Sequence, residues 1–505
     1  MPIYDRSFAA PHEPTAFERT VNCADLTALQ AACAAALPGD KIVLATGTHT
    51  GTSHTPAGGE TCLVDLSRSG TAAKPITIEG ADDLCIVDGE NTKERFLFTD
   101  KVKHVVIRDI TAKRFTRPAI EITCPRGQQG ASTNVLVARV VVLDSGFHGA
   151  YGGVRFKGPI TDSVMRYVLC YRCGIGPEFR EAGAPLTKDT AQVPPVAGNI
   201  DYQQFTSEST YEQFRGWVDY GPVRCRMERC VGFASGALNF NGQQPTKDSD
   251  TIYMRYSSAC VADECIGSYG GDDNFDFVAC CDVEVKFCVA INGGYKTDGT
   301  RYPEGGNGCG FKMGARGGLR HRLIGNVALW NRQAGIDTAD CVYPTIFRNT
   351  CAWNQNGGNS YGIGMAPKRT SWPDDAHPRS GCTLAMNLAW KNALNSTEDR
   401  PQLYIDGPDR IVRTGCYSNY ASDDGSKNFN IPLMYRNYYA LRVGTTFALP
   451  FATDHTTRQL PALPLLAEMI PSNMVKLWND THTLYTGYIA RATPATVPAA
   501  VGAPL

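Results

Sequence analysis

The densest group of polar residues in this 505-residue sequence lies between Gly270 and Asp276. Asp272, Asp273 and Asp276 place three carboxylates within five residues, where one strand-like run ends and the next begins. Carboxylates so close together repel one another unless a cation lies among them. Their hard oxygen ligands suit Ca²⁺ better than zinc or copper. The segment therefore predicts a calcium site, against the simpler alternative that these aspartates only cap turns.

A further carboxylate is available one repeat earlier in the sequence, in the run KDSD. There Asp248 and Asp250 both precede a strand-like run. If the repeats stack as strands of one sheet, equivalent residues lie about 4.8 Å apart. Either aspartate is then in a position to complete the site.

One repeat after the aspartates comes a lysine among glycines, in NGCGFKMG. Lys312 stands between Phe311 and Met313, so in a strand it points away from both. Most lysines are solvated surface charges. A desolvated lysine near a cation would instead have a lowered pKa, and neutral lysine is a competent base for removing a carbon-bound proton. We expect Lys312 to lie on the same face as the aspartates.

The elements that position these residues are short strands repeated at irregular periods of roughly 20 to 30 residues. Examples are HVVIRDITAKRF, NVLVARVVVLDSGF and TIFRNTCAWNQNGG, with Asn, Gly and Asp at the turns. No helical crossovers separate the runs, and hairpin signals are too sparse for a two-sheet sandwich. The pattern predicts a right-handed parallel β-helix of about ten coils.

The chain divides into three parts at this level. Residues 1–22 are an N-terminal arm, and 23–425 are the β-helix, with a capping helix over 24–36 and a long loop insertion at 177–216. Apolar spacing and Asp25 near its start indicate the helix, which would cover the end of the solenoid. The rhythm fails from 426, so 426–505 is predicted to be a C-terminal cap or packing arm.

Composition narrows the class of protein. The net charge of −1 provides no basic surface for nucleic acid, and no uncharged apolar run of about 18 residues predicts a membrane span. Residues 1–19 show no signal peptide. Of the 19 cysteines, only Cys170 and Cys173 have zinc-type CxxC spacing. We expect most cysteines between Cys124 and Cys382 to be buried free thiols, with few disulfides.

The aspartate and lysine motifs together resemble polysaccharide lyase family 9, calcium-dependent β-helical lyases acting on pectic polysaccharides. The resemblance extends over about residues 215–360, including VADECIGSYGGDDNFD and NVALWNRQAGID. It implies that Lys312 is the catalytic base and that the calcium carboxylates are Asp272, Asp273, Asp276 and Asp250, with Asp248 as the alternative to Asp250. Arg255 stands where the family has lysine, and Thr338 and the residues after it replace an Asn-rich stretch.

The resemblance implies a calcium-dependent lyase that cleaves an acidic, uronic-acid-containing (pectate-like) polysaccharide by β-elimination. The basic residues expected near its groove, as substrate-binding candidates, are Arg255, Lys296, Arg316 and Arg320. A glycoside hydrolase using the aspartates is a rival, although it leaves Lys312 without a role. The other rival is a virion spike, collar or adhesive protein. The location would be extracellular or the virion surface. The protein would be a monomer if it is a secreted enzyme, and a homotrimer or larger assembly if it is a virion part.

Overall fold

The structure is a computed structural model. The residues that it describes are 9–418 apart from 57–59, 83, 147–150, 183–219, 237–248, 297–299, 303–305, 315–317, 340, 343, 353, 355–361, 366–381, 386, 391–402, 406–410 and 415–416. The expected C-terminal cap at 426–505 lies outside these residues, as does most of the expected loop at 177–216.

The described chain consists of one α-helix and many short strands. The helix is α1 (Leu26–Ala34). In chain order the strands are β1 (Arg19–Cys23), β2 (Asp40–Leu44), β3 (Gly47–His49), β4 (Val64–Leu66), β5 (Ile76–Gly80), β6 (Cys85–Asp88), β7 (Leu97–Asp100), β8 (Lys103–Arg108), β9 (Thr111–Lys113), β10 (Ile120–Thr123), β11 (Thr133–Ala138), β12 (Val141–Leu143), β13 (Val154–Lys157), β14 (Val164–Arg166), β15 (Leu169–Tyr171), β16 (Glu178–Arg180), β17 (Arg226–Glu228), β18 (Val231–Phe233), β19 (Ile252–Arg255), β20 (Val261–Asp263), β21 (Ile266–Ser268), β22 (Phe275–Val278), β23 (Cys280–Cys281), β24 (Glu284–Lys286), β25 (Val289–Ile291), β26 (Phe311–Lys312), β27 (Gly318–Leu319), β28 (Arg322–Ile324), β29 (Val327–Leu329), β30 (Ile336–Asp337), β31 (Cys341–Val342), β32 (Thr345–Phe347), β33 (Thr350–Ala352), β34 (Ile363–Met365), β35 (Cys382–Ala385), β36 (Leu388–Trp390), β37 (Leu403–Ile405), β38 (Ile411–Thr414) and β39 (Tyr417–Ser418).

The strands form three long sheets, and each coil of the chain contributes one strand to each sheet. Sheet I is β1-β2-β5-β8-β11-β14-β17-β20-β24-β28-β32-β35-β38. Sheet II is β3-β6-β9-β12-β15-β18-β21-β25-β29-β33-β36-β39, and sheet III is β4-β7-β10-β13-β16-β19-β22-β26-β30-β34-β37. A small fourth sheet is β23-β27-β31.

All the strand pairings within these sheets are parallel, as in the pairs β2–β5, β10–β13 and β15–β18. A sandwich built from hairpins would pair consecutive strands in antiparallel fashion. The predicted parallel β-helix is therefore confirmed. Among the described residues the sheets hold 11 to 13 strands each, somewhat more than the ten coils expected.

The core is built from equivalent side chains stacked along the solenoid. In sheet I, Ile42 pairs with Ile78, Ile78 with Ile107, and Ile107 with Val137. All four are fully buried. Each such side chain contributes about 1.5–3 kcal/mol relative to exposure, so the inward rows stabilise successive coils.

Helix α1 covers the first coils, as the sequence predicts. The Asp25 side chain caps it by accepting a hydrogen bond from the Ala28 N–H at 2.8 Å. Leu29 and Cys33 are fully buried where the helix packs against β1, β2 and β4. The helix therefore removes apolar surface from water at the open end of the solenoid.

Two expected boundaries shift in the structure. Part of the expected arm, 1–22, belongs to β1, which pairs in parallel with β2. The expected loop insertion begins later than residue 177, because β16 is a regular strand of sheet III paired with β13. No helix among the described residues is long and apolar enough to cross a membrane.

The turn from sheet I to sheet II has the same form in successive coils. Two residues separate the strands, such as Asp109 and Ile110 between β8 and β9. The first is left-handed although it is not glycine: φ is 57° at Asp109, 50° at Arg139 and 54° at Tyr167. Each such residue costs about 1–2 kcal/mol, so the surrounding coils must hold these turns in place.

The second residue of this turn points inward and forms a hydrogen-bonded ladder in the later coils. The Cys265 N–H donates to Cys288 Sγ, and the Cys288 N–H donates to Asn326 Oδ1 at 2.8 Å. Asn326 donates to Asn349 Oδ1, and Asn349 donates to Asn387 Oδ1, with N–O distances of 2.9–3.0 Å. Thiols and amides thus fill one structural position and connect neighbouring coils.

Seventeen described cysteines are buried and none of them forms a disulfide. Burial raises the pKa of Cys85 to about 12, and it also raises the pKa of Cys170 and of Cys280 well above the usual value. Thiols whose pKa is raised in this way are protonated at neutral pH, and the buried cysteines serve as small apolar side chains.

We predict that a thiol reagent leaves the native protein almost unmodified and modifies nearly all cysteines after denaturation without reductant. The reason is that burial, and not disulfide formation, protects the thiols. The measurement is thiol titration in buffer and in guanidinium chloride. Few reactive thiols in the denatured, unreduced sample would show a disulfide-stapled protein instead.

We predict that Asn349→Ala lowers the free energy of unfolding by about 2 kcal/mol or more. The substitution removes the buried hydrogen bonds that Asn349 makes with the amides of Asn326 and Asn387. Asn22→Ala, on an exposed position of β1, is the control and should change it by less than about 0.5 kcal/mol. The free energies of unfolding are measured by denaturant titration. Equal losses in Asn349→Ala and Asn22→Ala would mean that the ladder contributes no more to stability than a surface residue.

Candidate functional site

The candidate site lies on the outer face of sheet III, across the neighbouring strands β19, β22 and β26. The register pairs Tyr253 with Asp276, Asp276 with Lys312, and Lys312 with Asp337. Neighbouring residues with the same orientation on adjacent strands are about 4.8 Å apart. The lysine and one aspartate predicted from the sequence therefore stand side by side.

Three aspartates converge in the turns that lead into β19 and β22. Carboxylate oxygens of Asp250, Asp272 and Asp273 all lie within 4.8 Å of one another. The three residues are 1%, 8% and 0% exposed. Asp248 lies outside the described residues. Of the two alternatives from the sequence, the structure thus brings Asp250 to the cluster.

Backbone N–H groups fix the orientation of these carboxylates. The Asp273 N–H donates to Asp250 Oδ1 at 3.0 Å, which joins the two coils. The Asn307 N–H donates to Asp272 Oδ1, and the Cys309 N–H donates to Asp273 Oδ1 at 2.7 Å. The carboxylates are therefore held by the main chain of the following coil and not only by their own turns.

Asn274 anchors the turn that carries Asp272 and Asp273. Its buried amide accepts from the Gly270 N–H and donates to the carbonyl of Ile291 at 3.0 Å. It also donates to Asn331 Oδ1 at 2.8 Å. A Cβ on Gly270 would lie 2.4 Å from the Asp273 carbonyl oxygen, so this turn requires glycine.

The electrostatics of the cluster favour a cation. Burial raises the pKa of Asp250 well above its usual value, and the neighbouring Asp276, Asp272 and Asp273 raise it further. Burial and Asp273 likewise raise the pKa of Asp272. Carboxylates that destabilise one another in this way would be stabilised by a divalent cation, and their oxygens are the ligands that Ca²⁺ prefers. The residues fit the predicted calcium.

Lys312 lies directly beside the cluster. Its Nζ is 2.9 Å from Asp273 Oδ2 and 4.0 Å from Asp276 Oδ2, and its side chain is 12% exposed. Burial alone lowers the pKa of Lys312, but Asp273, Asp276 and Asp272 outweigh burial and raise it well above its usual value. The predicted lowering of the Lys312 pKa was therefore wrong as far as the charges of the protein itself are concerned. The pKa is raised because the lysine donates to the carboxylates that surround it.

Asp276 has a different position from the other aspartates. It is on β22 itself and is 5% exposed. It faces Tyr253 on one side and Lys312 on the other, outside the trio whose oxygens converge. A cation held by the trio would thus have Asp276 as a neighbour on the strand.

The four basic substrate-binding candidates lie in different places. Arg255 ends β19 on the outer face of sheet III. Lys296 lies in the segment between β25 and β26, with its Nζ 6.0 Å from the centre of the Tyr302 ring. Arg320 donates two hydrogen bonds to Asp282, at 2.9 and 2.6 Å. Arg316 lies outside the described residues.

Sequence reasoning missed Asn274, Tyr253 and Asp337. Asn274 stands within the aspartate motif, where it does not offer a carboxylate, and its hydrogen bond to Asn331 depends on the fold. Tyr253 and Asp337 belong to the site because of the register alone. A repeat alignment accurate to one residue would have found them.

Comparisons with known proteins concern the fold. No family model and no curated protein matches the sequence. A rhamnogalacturonan lyase is similar with a TM-score of 0.48 and 14% identity, over 84% of this chain and 88% of that one. Pectate lyase Pel9A is similar with a TM-score of 0.41 and 13% identity, over 82% of each chain. A GH136 lacto-N-biosidase from Eubacterium ramulus is similar with a TM-score of 0.47 and 9% identity, over 78% of this chain and 68% of that one.

We predict that Asp250→Asn weakens Ca²⁺ binding by about tenfold or more, because even changes in an outer ligand shell have effects of that size. Isothermal titration calorimetry of the native protein and the variant measures the affinity for Ca²⁺. Because burial raises the pKa of Asp250, protons compete with the cation, and binding should also weaken as the pH falls through that raised pKa.

The control for this experiment is Asp263→Asn, on sheet I. Asp263 is paired with Lys286 at 3.0 Å and does not belong to the cluster. Its substitution should leave Ca²⁺ binding unchanged. Equal weakening by both variants, or none by Asp250→Asn, would contradict the assignment of the metal site.

Proposed function

We propose that the chain is a calcium-dependent polysaccharide lyase that cleaves a uronic-acid-containing, pectate-like polysaccharide by β-elimination. The observation that carries this proposal is the contact between Lys312 and the buried aspartates, with Nζ 2.9 Å from Asp273 Oδ2. A base beside a cation site is the arrangement that removal of a proton next to a carboxylate requires.

The residues that would hold Ca²⁺ are Asp250, Asp272 and Asp273, with Asp276 as the nearest further carboxylate. When bound, the ion would polarise the substrate carboxylate and stabilise the negative charge that develops next to it. The chain contributes the rigidity of this site, since the N–H groups of Asn307 and Cys309 hold the carboxylates.

Lys312 is the proposed base for the proton at C5 of the uronate. Its neighbours along the sequence are apolar residues and glycines, and burial by itself favours the neutral amine. The carboxylates counteract this effect as long as their charge is uncompensated. Once Nζ has taken the C5 proton, the electron pair left at C5 forms a double bond between C4 and C5. The glycosidic oxygen leaves C4 with its bonding pair and takes a proton from water.

The motif resemblance to polysaccharide lyase family 9 supports the same chemistry. Asp272, Asp273 and Asp276 followed by Lys312 match its pattern, and Asp250 supplies the earlier carboxylate. An acidic polysaccharide is accordingly the partner that we propose, at an extracellular or virion-surface location. Hydrolysis by the aspartates would leave Lys312 without a role, so elimination accounts for more of the site.

We predict that the protein cleaves pectate, or another uronan, with a rise in ultraviolet absorbance from the unsaturated product. Chelation should abolish the activity and Ca²⁺ should restore it. Lys312→Ala should reduce kcat by about 10² to 10⁴, the usual contribution of a general base. Lys312→Arg should reduce it nearly as much, because a guanidinium stays protonated.

Lys286→Ala, on sheet I, is the matched lysine control and should retain activity, since Lys286 pairs with Asp263 on another face. Full activity of Lys312→Ala would refute the assigned base. Cleavage without the ultraviolet chromophore would indicate a hydrolase, and failure to cleave any uronan would favour an adhesive or structural virion protein.

A further inference from the structure

A second row of outward residues on sheet III is basic and lies beside the candidate site. Lys157 on β13 pairs in register with Arg180 on β16. The pairing of Phe179 with Met254 then places Arg180 next to Arg255 on β19. Three consecutive coils therefore carry one cation each, at intervals of about 4.8 Å.

Arg255 is the member of this row whose hydrogen-bonding capacity is least used. Its side chain is 10% exposed, and its one carboxylate contact within the described chain is Glu181, with Nε 3.3 Å from Oε1. Nε and Nη2 are buried and make no hydrogen bond with the described residues. A buried N–H group left without a hydrogen bond costs about 1–3 kcal/mol, and more on a charged side chain, so a further anionic partner would stabilise Arg255.

The glutamates nearby are shared among several arginines. Arg180 reaches Glu181 at 4.0 Å and Glu178 at 3.0 Å. Glu178 also accepts from Arg155 Nε at 2.6 Å. Glu178 is thus engaged by the earlier coils, whereas Glu181 makes only long contacts with Arg180 and Arg255, and its buried Oε2 makes no hydrogen bond with the described residues.

The row is placed to meet a polymer bound at the aspartates. Arg255 is two residues beyond Tyr253, a distance of about 7 Å along the strand. Tyr253 pairs in register with Asp276, so Arg255 is one coil away from the strand that carries the cluster. If one sugar of the polymer is held at the aspartates, the next sugars along the polymer would lie over Arg255 and then over Arg180.

We propose that Arg255, with Arg180 beside it, binds the carboxylate of a second uronate in the polymer. The inference rests on the proposed function and narrows its substrate to a chain in which uronates occur close together. The bound chain extends from the aspartates towards the N-terminal coils. A planar guanidinium suits a carboxylate, because its paired N–H groups match the two carboxylate oxygens.

The test measures how affinity depends on substrate length. Oligogalacturonates of one to four residues are titrated into the Lys312→Ala protein with saturating Ca²⁺, so that binding occurs without cleavage. Affinity should rise in a step at the length that reaches Arg255. When Arg255→Gln is added to Lys312→Ala, the oligomers long enough to reach residue 255 should bind about tenfold more weakly. This is the loss expected for charged hydrogen bonds. The shortest ligand should bind as before.

Arg166→Gln is the matched control, because Arg166 pairs with Glu228 at 2.8 Å on sheet I. It should keep the step. Should Arg255→Gln fail to fold, Arg255→Lys retains a charge for Glu181 and should reduce the step by losing the paired N–H groups. A step unchanged in both Arg255 variants would overturn the inference alone, whereas no uronate binding at any length in Lys312→Ala would overturn the proposed function.

Discussion

The register of three parallel strands in sheet III is the constraint on which the site depends. Side chains alternate between the core and the outer face, so a slip of one residue in β22 or β26 would bury Asp276 or Lys312 and expose a phenylalanine. Phe275 and Phe311 oppose such a slip, because both are fully buried and their ring centres are 4.6 Å apart. Apolar packing inside the solenoid thus determines the polar arrangement outside it.

The outer face of sheet III contains two electrostatic environments. In the earlier coils, buried charges compensate one another: Arg95 and Arg155 lower the pKa of Glu121 to about 2 despite its complete burial. At β19 and β22, burial and like charges raise the pKa of Asp250 and Asp272. In the first arrangement the chain itself compensates the buried negative charge, whereas the second would be stabilised by an added cation. This contrast separates a structural ion network from a candidate site.

The sequence predicted the fold class and the residue types of the site, because strand repeats and a dense aspartate motif are local patterns. It did not predict the register. The intervals from Tyr253 to Asp276, Lys312 and Asp337 are unequal, since the turns between coils differ in length. The sign of the Lys312 pKa shift also depended on distance, because Asp273 can raise it only by placing Oδ2 next to Nζ.

The two-residue turn that joins sheets I and II from β8 onwards has an evolutionary consequence. Over these coils the length of this turn does not change, whereas the turn before β26 spans the whole segment from β25 onwards. Insertions and deletions should therefore be tolerated at the corners that border sheet III and rejected at this one. Selection could then reshape the walls of the groove, and so the choice of polymer, while the solenoid beneath keeps its architecture.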